Sequence, residues 1–258
     1  MQSTGKILRL FLILVATLFV CVPVARAADG DVTALVAASA KDAVNEIAKS
    51  FQEEAHATVK VSAGASNTLA TQILADAPAD VFLSASQEWA DKVKDGGYAA
   101  RSVALLTNDL VLVTPKGNPA GIKSVSDLTS GAVRKIALAG EKVPAGKYAE
   151  QALRSLKLYD ELDGAKKIVR GQDVRATLAY VERGEVEAGV VYSTDAKISD
   201  KVEIVHVFDP KGFDKIVYPL VLLKAGEKND AATKFYDHLA SEKSAAVFAK
   251  YGFKRLEK

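Results

Sequence analysis

The sequence predicts an α/β fold of two lobes, each a mostly parallel sheet flanked by helices. Three observations carry this expectation. A short apolar run, a tight turn of small or polar residues and a stretch of helical period recur along the chain. Strands that alternate with helices in this way form sheets covered on both faces. No repeat or low-complexity linker breaks the series after residue 28, and 258 residues with 49% hydrophobic content can fill more than one core.

The elements follow in order. Residues 1–27 read as a secretory signal: Lys6 and Arg9 give the positive start, "LFLILVATLFVCVPV" the apolar run, and "ARA" at 25–27 a small-x-small cleavage site. Cleavage after Ala27 is expected, leaving 231 residues (258 − 27) and a periplasmic protein. A lipid anchor on Cys21 would want a small residue before it, and Val20 is not small.

"DVTALVAA" (31–38) is a strand, followed by a helix with Val44, Ile47, Ala48 and Phe51 on one face. "ATVKVSA" (57–63) leads to a helix carrying Leu69, Ile73 and Leu74, and "DVFLSA" (80–85) to the "QEWADKVKDGG" helix, which Gly96 and Gly97 end. "DLVLVTP" (109–115) is an apolar strand stopped by Pro115, and "SVSDL" (124–128) starts a short helix. "KIALAG" leads through "EKVPAGK" into "YAEQALRSL". "KIVRG" leads into "VRATLAYVERG", with Val174, Leu178 and Val181 inward and Gly184 as a stop. "EAGVVY" (187–192) meets "STDA", then come "VEIVHVF", "KIVYPLVLL" and two C-terminal helices.

Charge and cysteine content narrow the function. The formal net charge of +2 includes Lys6, Arg9 and Arg26 of the signal, so the mature chain has 34 − 3 = 31 basic against 32 acidic residues. That balance gives no electrostatic case for nucleic acid or an anionic membrane. The single cysteine leaves with the signal, and His56, His206 and His238 show no metal-ligand spacing. No cofactor and no directly coordinated metal is expected.

Five strand-to-helix turns share a character. Ser39, with Asp42 three residues on, matches a capping box. Ser66 and Asn67 precede the second helix, Pro144-Ala145-Gly146 another, and Gln172-Asp173 a fourth; Ser193-Thr194-Asp195 follow Tyr192. In an open parallel sheet such turns gather at the carboxyl ends of the strands, where ligands bind. Helix starts offer free N–H groups and a partial positive charge, which suit an anion. Ordinary capping explains the same residues equally well, and Pro144 suits a first helical turn. Tyr192 at a strand end reads as core on its own.

The blocks "AAS" (37–39), "ASNTLA" (65–70), "APADVFLSA" (77–85), "VPAGKYAEQAL" (143–153), "DVRATLAYVERGE" (173–185), "GVVYSTDA" (189–196) and the final "YGF" resemble, in the same order, the periplasmic molybdate-binding proteins of ABC importers. The resemblance spans nearly the whole mature chain. It implies a two-lobed periplasmic-binding-protein fold with two hinge crossovers, closing on tetrahedral molybdate or tungstate. It further implies Ser39 and Ser66 as ligands through hydroxyl and main chain, Ala145 and Val174 through main-chain N–H, and Tyr192 through its phenol. Two departures stand out: "AASAKDA" lacks a bulkier residue after Ser39, and Ala65 and Asn67 flank Ser66 where serines are common in relatives. Asn67 is expected to cap rather than to bind.

The function expected is that of a solute-binding protein and not an enzyme. It would act as a monomer that captures molybdate, and tungstate, and delivers it to a membrane permease. The expected lobes are 28–108 plus 217–258, and 109–216, with "DLVLVTP" and "KIVYPLVLL" marking the crossovers. Sulfate, another unprotonated tetrahedral dianion, is the rival ligand. Phosphate would reward an acceptor such as Asp173 or Asp195, both of which sit at cap positions. A secreted serine hydrolase using Ser39 or Ser66 lacks a G-x-S-x-G elbow and a histidine in any of these turns. An adhesive role would require no small ligand.

Overall fold

The computed structural model describes residues 30–256, so the signal segment lies outside the described residues. The strands are β1 (Val32–Ala37), β2 (Val59–Gly64), β3 (Val81–Leu83), β4 (Ala99–Thr107), β5 (Leu110–Pro115), β6 (Ile136–Ala139), β7 (Ile168–Gly171), β8 (Ala188–Tyr192), β9 (Val202–Val207), β10 (Tyr218–Leu223) and β11 (Lys254–Arg255). The helices are α1 (Lys41–Ala55), α2 (Ser66–Leu74), α3 (Gln87–Asp95), α4 (Pro144–Ser155), α5 (Tyr159–Gly164), α6 (Val174–Glu182), α7 (Ser193–Lys197), α8 (Lys224–Glu227), α9 (Asp230–Leu239) and α10 (Glu242–Lys250).

Two sheets result, one ordered β11-β4-β10-β3-β1-β2 and the other β7-β6-β8-β5-β9. Each has a core of three parallel strands, β2-β1-β3 and β7-β6-β8. The neighbours of those cores run the other way: β10 is antiparallel to β3 and β4, and β5 to β8 and β9. The sheets are therefore mixed, where the repeated strand–helix unit suggested mostly parallel ones. The reason is connectivity. A parallel neighbour needs a helical return to the same end, and β5 and β10 are instead reached directly from strands of the other sheet. The first passage is Asn108-Asp109, between β4 and β5; the second is 208–217, between β9 and β10.

Helices bury the faces that the sequence period marks. On α1, Val44, Ile47, Ala48 and Phe51 face the core, and Phe51 meets Phe235 of α9 at a ring separation of 5.1 Å. Burying each such large side chain contributes roughly 1.5–3 kcal/mol. On α6, Val174, Leu178 and Val181 are inward, and Gly184 takes a positive φ at its end. On α2, Leu69 and Ile73 are buried, whereas Leu74 at its last turn is 37% exposed. The short helix expected at "SVSDL" is a 3-10 helix, Val125–Thr129, opened by a Ser124–Asp127 capping box.

Candidate functional site

The turns after the six parallel strands meet at one cavity. From the first sheet come Ala37, Ala38 and Ser39 after β1, Gly64, Ala65 and Ser66 after β2, and Ala85 after β3. From the second come Val143, Pro144 and Ala145 after β6, Asp173 and Val174 after β7, and Tyr192 at the end of β8. The five residues implied as ligands thus line one cavity, and all are buried: Ser39, Ser66, Ala145, Val174 and Tyr192. The cavity is small, about 10 Å³, roughly the room of one water-sized sphere with little play. That is the scale of a compact ion rather than a sugar or a peptide. A far larger groove, about 1020 Å³, lies on the outside between α1 and α9, lined by His56, Lys228, Lys234 and Asp237, and no cluster of buried donors faces it.

Helix geometry supplies the donors. The first N–H groups of a helix have no partner within it. Pro144 opens α4 at the first position, as expected, and the N–H groups of Ala145 and of Val174, which opens α6, find no acceptor among the described residues. Gly146 lets the start of α4 lie against β6, since a Cβ there would stand 2.2 Å from the Gly140 carbonyl oxygen. Asp173 caps α6, accepting from the Ala176 N–H at 2.9 Å.

The hydroxyls do something other than cap. Ser39 and Asp42 do not form a capping box: Ser39 Oγ pairs with the Tyr218 hydroxyl at 2.8 Å, and Asp42 accepts from Arg175 at 2.7 Å. The 3-10 turn Ala38–Ala40 that precedes α1 moves Ser39 out of the cap position. Ser66 Oγ accepts the backbone N–H of Ala85 at 2.9 Å, across from its own helix. Asn67 is no cap either: it lies inside α2, and its buried Oδ1 has no partner among the described residues. The buried Tyr192 hydroxyl has no hydrogen-bond partner among the described residues, and burial holds its phenol well above the usual range, so it stays a donor.

Among the described residues no Lys or Arg lines the cavity. Arg170 turns to the Ala139 carbonyl and Tyr159. Arg175 turns outward to Asp42, to the Ser39 carbonyl oxygen at 3.2 Å and to buried Asp195, which its Nε meets at 2.7 Å as an ion contact without hydrogen-bond alignment. Burial outweighs this arginine, and the Asp195 carboxyl is pushed up to about 7. Asp195 also accepts from the Tyr192 N–H at 3.3 Å. Ser193 and Thr194 point away from the cavity, to Asn108.

Two residues next to the site escaped the sequence reading, Asn108 and Tyr218. The only signals were an amide just ahead of "DLVLVTP" and a phenol inside the apolar run "KIVYPLVLL". Among the described residues no group of three or more His, Cys, Asp or Glu is placed to hold a metal ion, and no helix is long and apolar enough to cross a membrane.

Known proteins align with this arrangement. The family model of bacterial extracellular solute-binding proteins matches residues 32–254. The molybdate-binding protein ModA of Escherichia coli is 39% identical over 236 residues, 89% of this chain and 91% of that protein. Two solved structures share the fold: the periplasmic molybdate-binding protein of Azotobacter vinelandii (TM-score 0.78, 22% identity, 88% of this chain and 100% of that one) and the sulfate-binding protein SubI of Mycobacterium tuberculosis (TM-score 0.75, 16% identity, 88% and 87%). The resemblance carried by the sequence blocks is borne out, as is the two-lobed α/β fold, and these relatives are carriers of solutes rather than enzymes. With residues 32–254 matched and its donors gathered at one interlobe cavity, the chain belongs to the bacterial extracellular solute-binding proteins.

Proposed function

We propose that the protein captures molybdate, and tungstate with it, in the cavity between its lobes and delivers it to the membrane permease of an ABC importer. One observation carries this reading: an ion-sized cavity walled by neutral donors from both sheets, with no Lys or Arg on its wall among the described residues. The Ser39 and Ser66 hydroxyls, the Ala145 and Val174 N–H groups and the Tyr192 phenol hold the oxygens. Each hydrogen bond to a charged group contributes roughly 1.5–3 kcal/mol, so five reach tight binding without a salt bridge. The 39% identical E. coli relative, a molybdate-binding protein, supports the choice of ion.

On this reading the lobes are 28–108 plus 217–258, and 109–216, and they close about the two passages between the sheets. The ion favours the closed form because it touches both lobes. The protein works as an exported monomer after removal of residues 1–27.

Calorimetric titration of the anion-stripped mature chain with molybdate, tungstate, sulfate and phosphate tests this. One-to-one binding of molybdate and tungstate, with sulfate far weaker, is the expected result. Equal binding of sulfate would keep the oxyanion cavity and overturn the molybdate assignment. Silence from all four would reduce the helix starts to caps.

A further inference from the structure

We propose that Asn108 and Tyr218 are positioning residues that fix the polarity of Ser39, making it a donor toward the cavity and thereby selecting fully deprotonated oxyanions. The inference rests on the reading of the cavity as an oxyanion site. Asn108 lies in the first passage between the sheets and Tyr218 opens β10 after the second, and both are buried.

The direction of each bond follows from its neighbours. Asn108 Oδ1 accepts the backbone N–H of Asp109 at 3.0 Å and the Ser193 hydroxyl at 3.0 Å. A backbone N–H only donates, so the amide cannot be flipped. Its Nδ2 therefore donates, to Thr194 Oγ1 at 2.8 Å and to the Tyr218 oxygen at 3.3 Å. Burial raises the Tyr218 phenol, which stays protonated. Its oxygen accepts from Asn108 and, in the arrangement we propose, its single hydrogen goes to Ser39 Oγ at 2.8 Å, a contact in which either hydroxyl could donate. Ser39 then accepts from Tyr218, and its own hydrogen is directed to the cavity.

Ser66 is set the same way by the Ala85 N–H, and the Tyr192 phenol has no hydrogen-bond partner among the described residues. The two serines, each with one lone pair occupied from behind, thus turn their hydrogens to the cavity, and the Tyr192 hydroxyl can donate beside them. An oxyanion that keeps a proton needs an acceptor opposite it, and a serine oriented with its hydrogen toward the ligand meets that proton with a hydrogen. Asp173, the one carboxylate on the wall, caps α6 and is common to every variant below.

The test compares molybdate and hydrogen phosphate by calorimetry at mildly alkaline pH, where both are dianions and added charge affects them alike. In Asn108→Asp the new oxygen takes the Tyr218 hydrogen, Tyr218 must accept from Ser39, and Ser39 turns a lone pair to the cavity. Molybdate should weaken roughly tenfold to a hundredfold, with phosphate weakened far less, so that the ratio of the two affinities falls about tenfold or more. Tyr218→Phe cuts the chain and leaves the Ser39 hydrogen free, so its ratio stays near the wild type. The double variant Asn108→Asp/Tyr218→Phe should regain that ratio. Equal weakening of both anions, or a double variant that does not recover, overturns the proposal. Should Asn108→Asp not fold, Asn108→Leu frees the Tyr218–Ser39 bond to reverse and should lower the ratio about threefold; an unchanged ratio there overturns it equally. Failure of the wild type to bind molybdate would strike the oxyanion reading itself.

Discussion

The two walls of the cavity come from the same strand–turn–helix unit, yet they hold out different donors. The first wall offers the side chains of Ser39 and Ser66, each propped from behind, by Tyr218 and by the Ala85 N–H. The second offers the backbone of Ala145 and Val174 at the starts of α4 and α6, with Tyr192 beside them. A side-chain donor is lost with its residue. A backbone donor survives nearly any exchange and is lost only if its helix moves or its hydrogen is removed.

The widest break in that comparison is Gly146→Ala. The new Cβ would press on the backbone oxygens of Gly140 and Ala139 at 2.2 and 2.4 Å, forcing the start of α4 away from β6. We expect a loss of about 3 kcal/mol in thermal unfolding and molybdate binding weakened beyond a hundredfold in calorimetry. On the first wall, Ser39→Ala or Ser66→Ala should weaken molybdate roughly tenfold to a hundredfold. Ser66→Ala should be the worse folded of the two, because it leaves the buried Ala85 N–H unpaired. Val174 separates backbone from side chain. Val174→Ala should change affinity less than about threefold, whereas Val174→Pro, tolerated at the first helical position, removes the N–H and should weaken binding about tenfold.

A buried carboxyl, Asp195, supports the second wall only. Its folded value of about 7 stands above the ordinary 3.8, so the folded chain holds this proton more tightly than the unfolded one. Its stabilising contribution is full below about pH 4 and is lost as the pH rises through about 7. Urea unfolding between pH 5 and 8 should show stability falling over that window, and Asp195→Asn should flatten the slope. The smallest effect is expected across the rim. Lys147 of the second wall meets Glu88 of the first at 2.8 Å, with both side chains more than 40% exposed. Lys147→Ala should weaken molybdate no more than about fivefold, in keeping with an exposed pair worth at most about 1 kcal/mol.

These differences mark what the sequence could and could not say. Alternation of apolar runs and helical periods made the α/β architecture readable, and the turns at 39, 66, 145 and 174 were visible as helix starts. Chemistry at those turns was less visible, because a serine at a helix start looks like a cap whether or not it is one. Ser39 is drawn from the cap by Tyr218, 179 residues away, and Ser66 by Ala85, 19 away. Ala145 and Val174 carry no side-chain signal at all, since their part is played by N–H groups; only the family resemblance pointed to them. The mixed sheets were hidden for a similar reason: strand direction at β5 and β10 depends on passages between lobes, which local pattern does not record.

The starts of α2, α4 and α6 converge on one small space, and helix starts are like-signed poles. Brought together around nothing but vacuum or a single water, they repel one another. An anion turns the same geometry from repulsion to attraction. On the proposed function the empty protein is expected to rest with its lobes apart, and the closed outline becomes a statement of occupancy. A permease that recognises only that outline would admit loaded carriers and ignore idle ones, without any contact with the cargo itself.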